Sequence, residues 1–140
     1  MLEKYAVRIG GGLNHRTNLK DQILVKENHI FLNNNIESTL EKLKKDKKIR
    51  VSEIEVTNIR ELRVAIKFRP KRIMLDNFSV ANIEKSVQLI RNSIKSEIEV
   101  SGKMTINKIE KIKKLDIDFI SVGKITHSAC FLDISMLVVK

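Results

Sequence analysis

The chain has 140 residues, a formal charge of +10, 42% hydrophobic and 31% charged residues, which suits one folded domain with a real core and excludes a disordered chain. No apolar run approaches the roughly 20 residues of a membrane span, and a single cysteine, Cys130, excludes an internal disulfide, so no membrane is expected and the cytoplasm is the expected compartment. Aromatics are only 4% with no tryptophan, which argues against a stacking platform for single-stranded nucleic acid.

The lysines are dispersed, as in Leu43-Lys44-Lys45-Asp46-Lys47-Lys48 and from Lys108 to Lys114. They read as solvated helix faces; a nucleic-acid footprint and an acidic small-molecule substrate are the alternatives. The segment Leu2 to Ile9 reads as a helix end stopped by Gly10-Gly11-Gly12, which opens a loop carrying His15 and Arg16. A first strand is expected near Gln22 to Lys26. Asn33-Asn34-Asn35 marks a turn before an amphipathic helix over Glu37 to Lys48, with Leu40 and Leu43 inward. A second strand follows near Arg50 to Val56, then a helix capped by Asn58, with Glu61 completing a capping-box-like pattern and Leu62, Ala65 and Ile66 inward. Pro70 closes that unit.

The third strand is expected over Arg72 to Asp76, followed by a long helix capped by Ser79, with Ile83, Val87, Ile90 and Ile94 at helical spacing. The fourth strand covers Glu97 to Ser101, and the next helix is expected to bury Ile106, Ile109 and Ile112. The fifth strand covers Asp118 to Gly123. The apolar tail from Ala129 to Val139 is expected to pack as a last helix or extended segment.

Side chains alternate faces along a strand. Ile54 and Val56 therefore share the helix-covered face, while Lys26, Glu55, Asp76 and Ser101 point the other way, into the interior of a barrel. This is an α/β chain of repeated βα units with about five parallel strands, fewer than a (β/α)₈ barrel, which usually takes about 250 residues. The expectation is an incomplete TIM-like α/β barrel spanning residues 1–140 as one C-terminal barrel portion, its first strand lying upstream. An open doubly wound sheet is the alternative.

The strand ends carry chemistry. A lysine such as Lys26 inside a barrel must meet an anion. Arg16 suits a carboxylate or phosphate bidentately, and His15 and Arg16 otherwise read as loop residues with local hydrogen bonds. Glu55 and Asp76 on adjacent strands have three readings: oxygen ligands for Mg²⁺, stabilisers of a cationic sugar transition state, or an ion pair with Lys26. Ser101-Gly102 and Val122-Gly123 permit close backbone approach to phosphate, although turns also need glycine. His127 and Cys130 with His15 and His29 match no standard zinc spacing.

In order along the chain, Lys4-Tyr5-Ala6-Val7-Arg8-Ile9-Gly10-Gly11-Gly12-Leu13-Asn14-His15-Arg16, Leu24-Val25-Lys26-Glu27-Asn28-His29, Glu53-Ile54-Glu55-Val56, Ile73-Met74-Leu75-Asp76-Asn77-Phe78, Val100-Ser101-Gly102, Val122-Gly123-Lys124-Ile125-Thr126-His127-Ser128 and Leu132-Asp133-Ile134-Ser135 resemble quinolinate phosphoribosyltransferase, also called nicotinate-nucleotide pyrophosphorylase (carboxylating). The resemblance implies a transferase of NAD biosynthesis that converts quinolinate and phosphoribosyl pyrophosphate to nicotinate mononucleotide, pyrophosphate and CO₂, with Mg²⁺ as cofactor. It implies catalytic roles for Lys26, Glu55 and Asp76, and quinolinate contacts from His15, Arg16 and Lys26. It implies phosphoribosyl pyrophosphate contacts from Glu55, Asp76, Ser101, Gly102, Lys103, Gly123, Lys124 and His127, with Glu55 and Asp76 as the Mg²⁺ ligands. Lys103 departs from the family pattern, in which a second glycine is common there.

Family members also carry an N-terminal sandwich domain and a first barrel strand with a Thr-Arg-Lys-containing motif. Both are expected to lie outside this chain, so a homodimer or a complementing chain is the expected partner. The alternatives to a working enzyme are a non-catalytic remnant and a binding module of the same fold. The resemblance implies weak binding of quinolinate or phosphoribosyl pyrophosphate with poor turnover by the chain alone.

Overall fold

Five parallel strands form one sheet in a computed structural model that describes residues 2–139. Met1 and Lys140, the ends of the 1–140 span, lie outside the described residues. The strands are β1 (Ile23–Val25), β2 (Ser52–Val56), β3 (Arg72–Asp76), β4 (Glu97–Ser101) and β5 (Phe119–Ile120). The helices are α1 (Leu2–Ile9), α2 (Glu27–Leu32), α3 (Ile36–Lys45), α4 (Ile59–Phe68), α5 (Val80–Ser93), α6 (Ile106–Ile112) and α7 (Lys124–His127).

The sheet order is β1-β2-β3-β4-β5, the order of the chain. A doubly wound sheet reverses its order at a switch point and carries helices on both faces. Here Ile54, Ile73 and Ile98 are level in register and join Leu40, Leu62, Ile83 and Ile112 in one buried cluster, so α3 to α6 cover a single face. That is the barrel arrangement, carried here by five strands.

Local chemistry explains the helix starts. The Asn58 side chain accepts from Glu61 N at 3.0 Å, the Ser79 side chain from Asn82 N at 3.3 Å and the Thr105 side chain from Lys108 N at 3.2 Å. The Glu61 carboxylate closes its half of the capping pattern on Thr57 N at 2.8 Å, one residue before the cap. Arg69, at φ 51°, ends α4 in the left-handed region just before buried Pro70.

β3 and β4 have the expected bounds. β2 starts two residues later than expected because Ile49–Val51 forms a 3₁₀ turn. β5 pairs only through Phe119 and Ile120, so Ser121, Val122 and Gly123 lie in the following loop. α2 was not expected; its six residues are too few to show a helical period. Ile106 is exposed rather than buried, because it opens α6 beside the Thr105 cap, on the turn that faces water. The tail over residues 129–139 forms neither helix nor strand, and Phe131, Met136 and Val138 are more than nine-tenths exposed. Its apolarity does not specify a packing partner within this chain.

Candidate active site

The sheet face opposite the helices lines a cavity of about 1580 Å³ at the C-terminal ends of the strands. Its wall includes every residue to which the family resemblance gives a role, and excludes His29 and Cys130. His15 and Arg16 come from the loop after α1, Lys26 from the end of β1, and Glu55 and Asp76 from β2 and β3. Ser101, Gly102 and Lys103 enter from the end of β4; Gly123, Lys124 and His127 enter from the loop and short helix after β5.

Parallel register sets the heights of the acidic groups. Glu55 is level with Met74 and Glu99, and Asp76 is level with Ser101. Asp76 therefore stands two residues, roughly 7 Å, farther along the strand direction than Glu55. Glu55 is buried, and burial pushes its carboxyl up to about 7. Lys26 pulls it down, with Nζ 3.8 Å from Glu55 Oε2, while the charge of Asp76 pushes it up. Lys26 also precedes α2, and its backbone N–H donates to His29 Nδ1 at 3.1 Å. Asn77 Nδ2 donates to Asp76 Oδ2.

Two backbone turns complete the wall. Gly102 has φ +87°, and a Cβ there would lie 2.4 Å from Asn77 N and 2.5 Å from its Oδ1. Asn77 N donates to Ser101 O at 3.2 Å, which locks the loops after β3 and β4 together. Lys103 follows in the left-handed region at φ 47°, a conformation in which glycine carries no penalty. A Cβ on Gly123 would press on the His127 ring at 3.2 Å. Among the described residues, His127, His29 and Cys130 join no group of three or more possible metal ligands, so the zinc spacing leads to no site.

Below these groups lies a charge network that the sequence reading did not single out. Arg72 Nη1 lies 3.0 Å from Glu99 Oε2 and 3.8 Å from Glu53 Oε2, and Nη2 lies 2.9 Å from Glu97 Oε2. Its guanidinium stacks 4.0 Å from the Phe119 ring centroid. Burial alone would lower the Arg72 pKa, but hydrogen bonding to Glu97 and the charges of Glu53, Glu97 and Glu99 raise it. Glu53 and Glu99 are fully buried, and Glu53 Oε1 has no hydrogen-bond partner. Burial, then the Glu99 charge, pushes the Glu53 carboxyl up to about 8. The signal available in the sequence was parity: residues 53, 55, 72, 97 and 99 fall on the interior side of their strands.

A folded-state pKa raised from 4.5 to about 8 has a defined linkage sign. Its contribution to stability is fully present below the unfolded value and is lost as pH rises through 8. The thermal midpoint of the chain is expected to fall by roughly 5 °C or more between pH 6 and pH 9. Glu53→Gln, which cannot ionise, is expected to flatten that fall; parallel melting curves with equal slopes would contradict it.

Among the described residues, His15, Glu53 and Glu99 have possible ligand atoms within 4.8 Å of one another. Arg72 already supplies the cation that this pair of glutamates calls for, which disfavours a metal there.

Residues 1–137 match the model of a family described as quinolinate phosphoribosyl transferase, C-terminal domain. The chain belongs to this family. The carboxylating nicotinate-nucleotide pyrophosphorylase named as probable in Methanocaldococcus jannaschii is 40% identical over 99% of this chain and 51% of its own length. The corresponding Bacillus subtilis protein is 39% identical over 97% of this chain and 47% of its own. The solved nicotinate-nucleotide pyrophosphorylase of Ehrlichia chaffeensis superposes with a TM-score of 0.83 at 38% identity, covering 91% of this chain and 46% of that one. A solved NadC deletion mutant also superposes at 0.83, with 39% identity, over 94% of this chain and 46% of its own. The phosphoribosyl transferase resemblance read from the motifs is thus borne out, and so is the partial barrel. The chain spans about half the length of the curated relatives it matches. Among the described residues, no helix is long and apolar enough to cross a membrane.

Proposed function

We propose that this chain carries the phosphoribosyl-transfer site of a carboxylating nicotinate-nucleotide pyrophosphorylase. The observation that carries the reading is the convergence of three basic residues, two carboxylates and two glycine-bearing backbone turns on one cavity at the strand ends. His15, Arg16 and Lys26 suit the two carboxylates of quinolinate, with Arg16 able to grip one bidentately. The pyridine nitrogen, held over the ribose, forms its bond to C1 as the bond to pyrophosphate breaks. Glu55 and Asp76 face the positive charge that develops on the sugar. The backbone at Ser101-Gly102-Lys103 and Gly123-Lys124, with His127 beside it, takes the phosphates. Loss of CO₂ from the ring carbon beside the nitrogen leaves the bonding pair on that carbon, stabilised by the adjacent pyridinium, and uptake of a proton from water there gives nicotinate mononucleotide.

Mg²⁺ fits the donor set. Glu55 and Asp76 are hard oxygen ligands on one cavity wall, and the Asp76 charge adds to burial in raising the Glu55 carboxyl, an effect a cation there would offset. The ion would neutralise the departing pyrophosphate there. β1 and β5 each pair on one side only among the described residues, and a second copy or a complementing chain suits those free edges.

The phosphate half of the reading has its own test. Gly102→Ala places a Cβ against Asn77 and forces a left-handed turn on a residue that resists it. Affinity for phosphoribosyl pyrophosphate with Mg²⁺, measured by calorimetry, is expected to fall at least about tenfold, which is about 1.4 kcal/mol. Unchanged affinity in the folded variant would remove the β4 loop from the phosphate site.

A further inference from the structure

His15 sits on an irregular loop, yet it is tied down at two points. On the backbone side, Lys4 Nζ of α1 donates to Arg16 O at 3.1 Å and His15 O at 3.4 Å, and Asn14 Nδ2 donates to Lys4 O at 2.9 Å. On the ring side, His15 Nε2 lies 3.6 Å from both Glu53 Oε2 and Glu99 Oε1. Those two oxygens are already acceptors. Glu53 Oε2 accepts from Gln22 Nε2 at 2.6 Å, and Glu99 Oε1 accepts from the Ser121 hydroxyl. Arg72 Nη1 lies 3.0 Å from the other oxygen of Glu99, Oε2, and 3.8 Å from the same Glu53 Oε2. At 3.6 Å, just beyond hydrogen-bond reach, the two oxygens favour the tautomer that places the hydrogen on Nε2 and leaves Nδ1 as the acceptor.

We propose that the buried Glu53–Glu99 pair, braced by Arg72, Gln22 and Ser121, is a positioning device that seats the His15 ring with Nε2–H downward and Nδ1 unprotonated. Through His15 it sets the height of Arg16 above the cavity floor. The oxygen of Glu53 on the His15 side accepts whether or not that carboxyl is protonated. Burial lowers the His15 pKa against the opposing charge of Glu99, which favours the neutral ring in which a single tautomer is meaningful. The functional consequence rests on the reading of this cavity as a quinolinate site, and the sign of one effect separates positioning from simple electrostatics. Removing a negative charge beneath a dianion strengthens binding electrostatically. Loosening the ring that helps hold the dianion weakens it.

The test reads the ring first and the ligand second. Long-range ¹H–¹⁵N spectra of the ¹⁵N-histidine-labelled chain at pH 7.5, with the His15 signals assigned by their loss in His15→Asn, are expected to show the Nε2–H tautomer alone. Glu99→Gln is expected to shift His15 toward averaged nitrogen frequencies and to weaken quinolinate binding about tenfold by calorimetry. An averaged or Nδ1–H pattern in the wild-type chain overturns the proposal without any variant having to fold. So does a Glu99→Gln chain that keeps the tautomer and binds quinolinate equally or more tightly. Stoichiometric zinc binding that moves both His15 nitrogens also overturns it, because the cluster is then a metal centre. Absence of quinolinate binding in every chain overturns the site assignment, while the ring spectra still decide the positioning device.

Discussion

Arg72→Met is expected to be the most damaging single substitution in this chain. Among the described residues, Arg72 is the cation that three glutamates share: its guanidinium contacts Glu97 and Glu99 within hydrogen-bond distance and Glu53 at 3.8 Å. Its side chain is only 13% exposed, and Glu53 and Glu99 are essentially unexposed. A methionine replaces the packing over Phe119 but leaves the carboxylates facing one another without a counter-charge. Removing one partner of a buried ion pair costs about 3–5 kcal/mol, a large share of the 5–15 kcal/mol that holds a typical domain together. At about 1–3 kcal/mol per molar in urea, the unfolding midpoint should fall by more than about 1 M. Arg72→Lys keeps the charge but loses the fork that engages two carboxylates at once, so it should recover only part of the loss. A midpoint within about 0.3 M of wild type for Arg72→Met would mean that protons alone stabilise the carboxylate cluster.

The second large effect belongs to Lys26. Lys26→Ala is expected to lower quinolinate affinity roughly 100-fold, about 2.7 kcal/mol, because the variant removes the strand-end charge that faces both Glu55 and the cavity. Lys26 is also what holds the Glu55 carboxyl down against burial and Asp76. Without it, the Glu55 pKa should rise further above its ordinary value, and any ligand that needs ionised Glu55 should bind only at higher pH. Calorimetry from pH 6 to pH 9 reads both effects. A uniform loss across that range would separate Lys26 from Glu55, and affinity equal to wild type would remove Lys26 from the site.

These two residues show what the sequence made legible. Lys26, Asp76 and Ser101 stand out because each ends a short apolar run, Glu55 because it interrupts one, and strand parity places all four on the cavity side. The limits of β3 and β4 were visible for the same reason. Arg72 was not visible as a hub. Its partners Glu53 and Glu97 lie 19 and 25 positions away in the chain, on neighbouring strands, and only the register Glu53↔Arg72↔Glu97 makes them neighbours. Strand parity puts Glu53 and Glu99 on the cavity side, but their full burial comes with Arg72, Gln22, Ser121 and the His15 ring around them, which sequence spacing does not bring together. The short α2 and the 3₁₀ turn at Ile49–Val51 lack the length for a periodic signal. The tail reads as core because it is apolar, yet it finds no regular element here.

The central claim is that the strand ends form one site for a dicarboxylate and a phosphorylated ribose. Titration calorimetry of quinolinate into the purified chain, alone and with phosphoribosyl pyrophosphate and Mg²⁺, tests it most directly. The account predicts saturable binding at one site per chain for each ligand, weakened roughly 100-fold for quinolinate in Lys26→Ala and at least about tenfold for phosphoribosyl pyrophosphate in Gly102→Ala. A wild-type chain that is folded and binds neither ligand would contradict it.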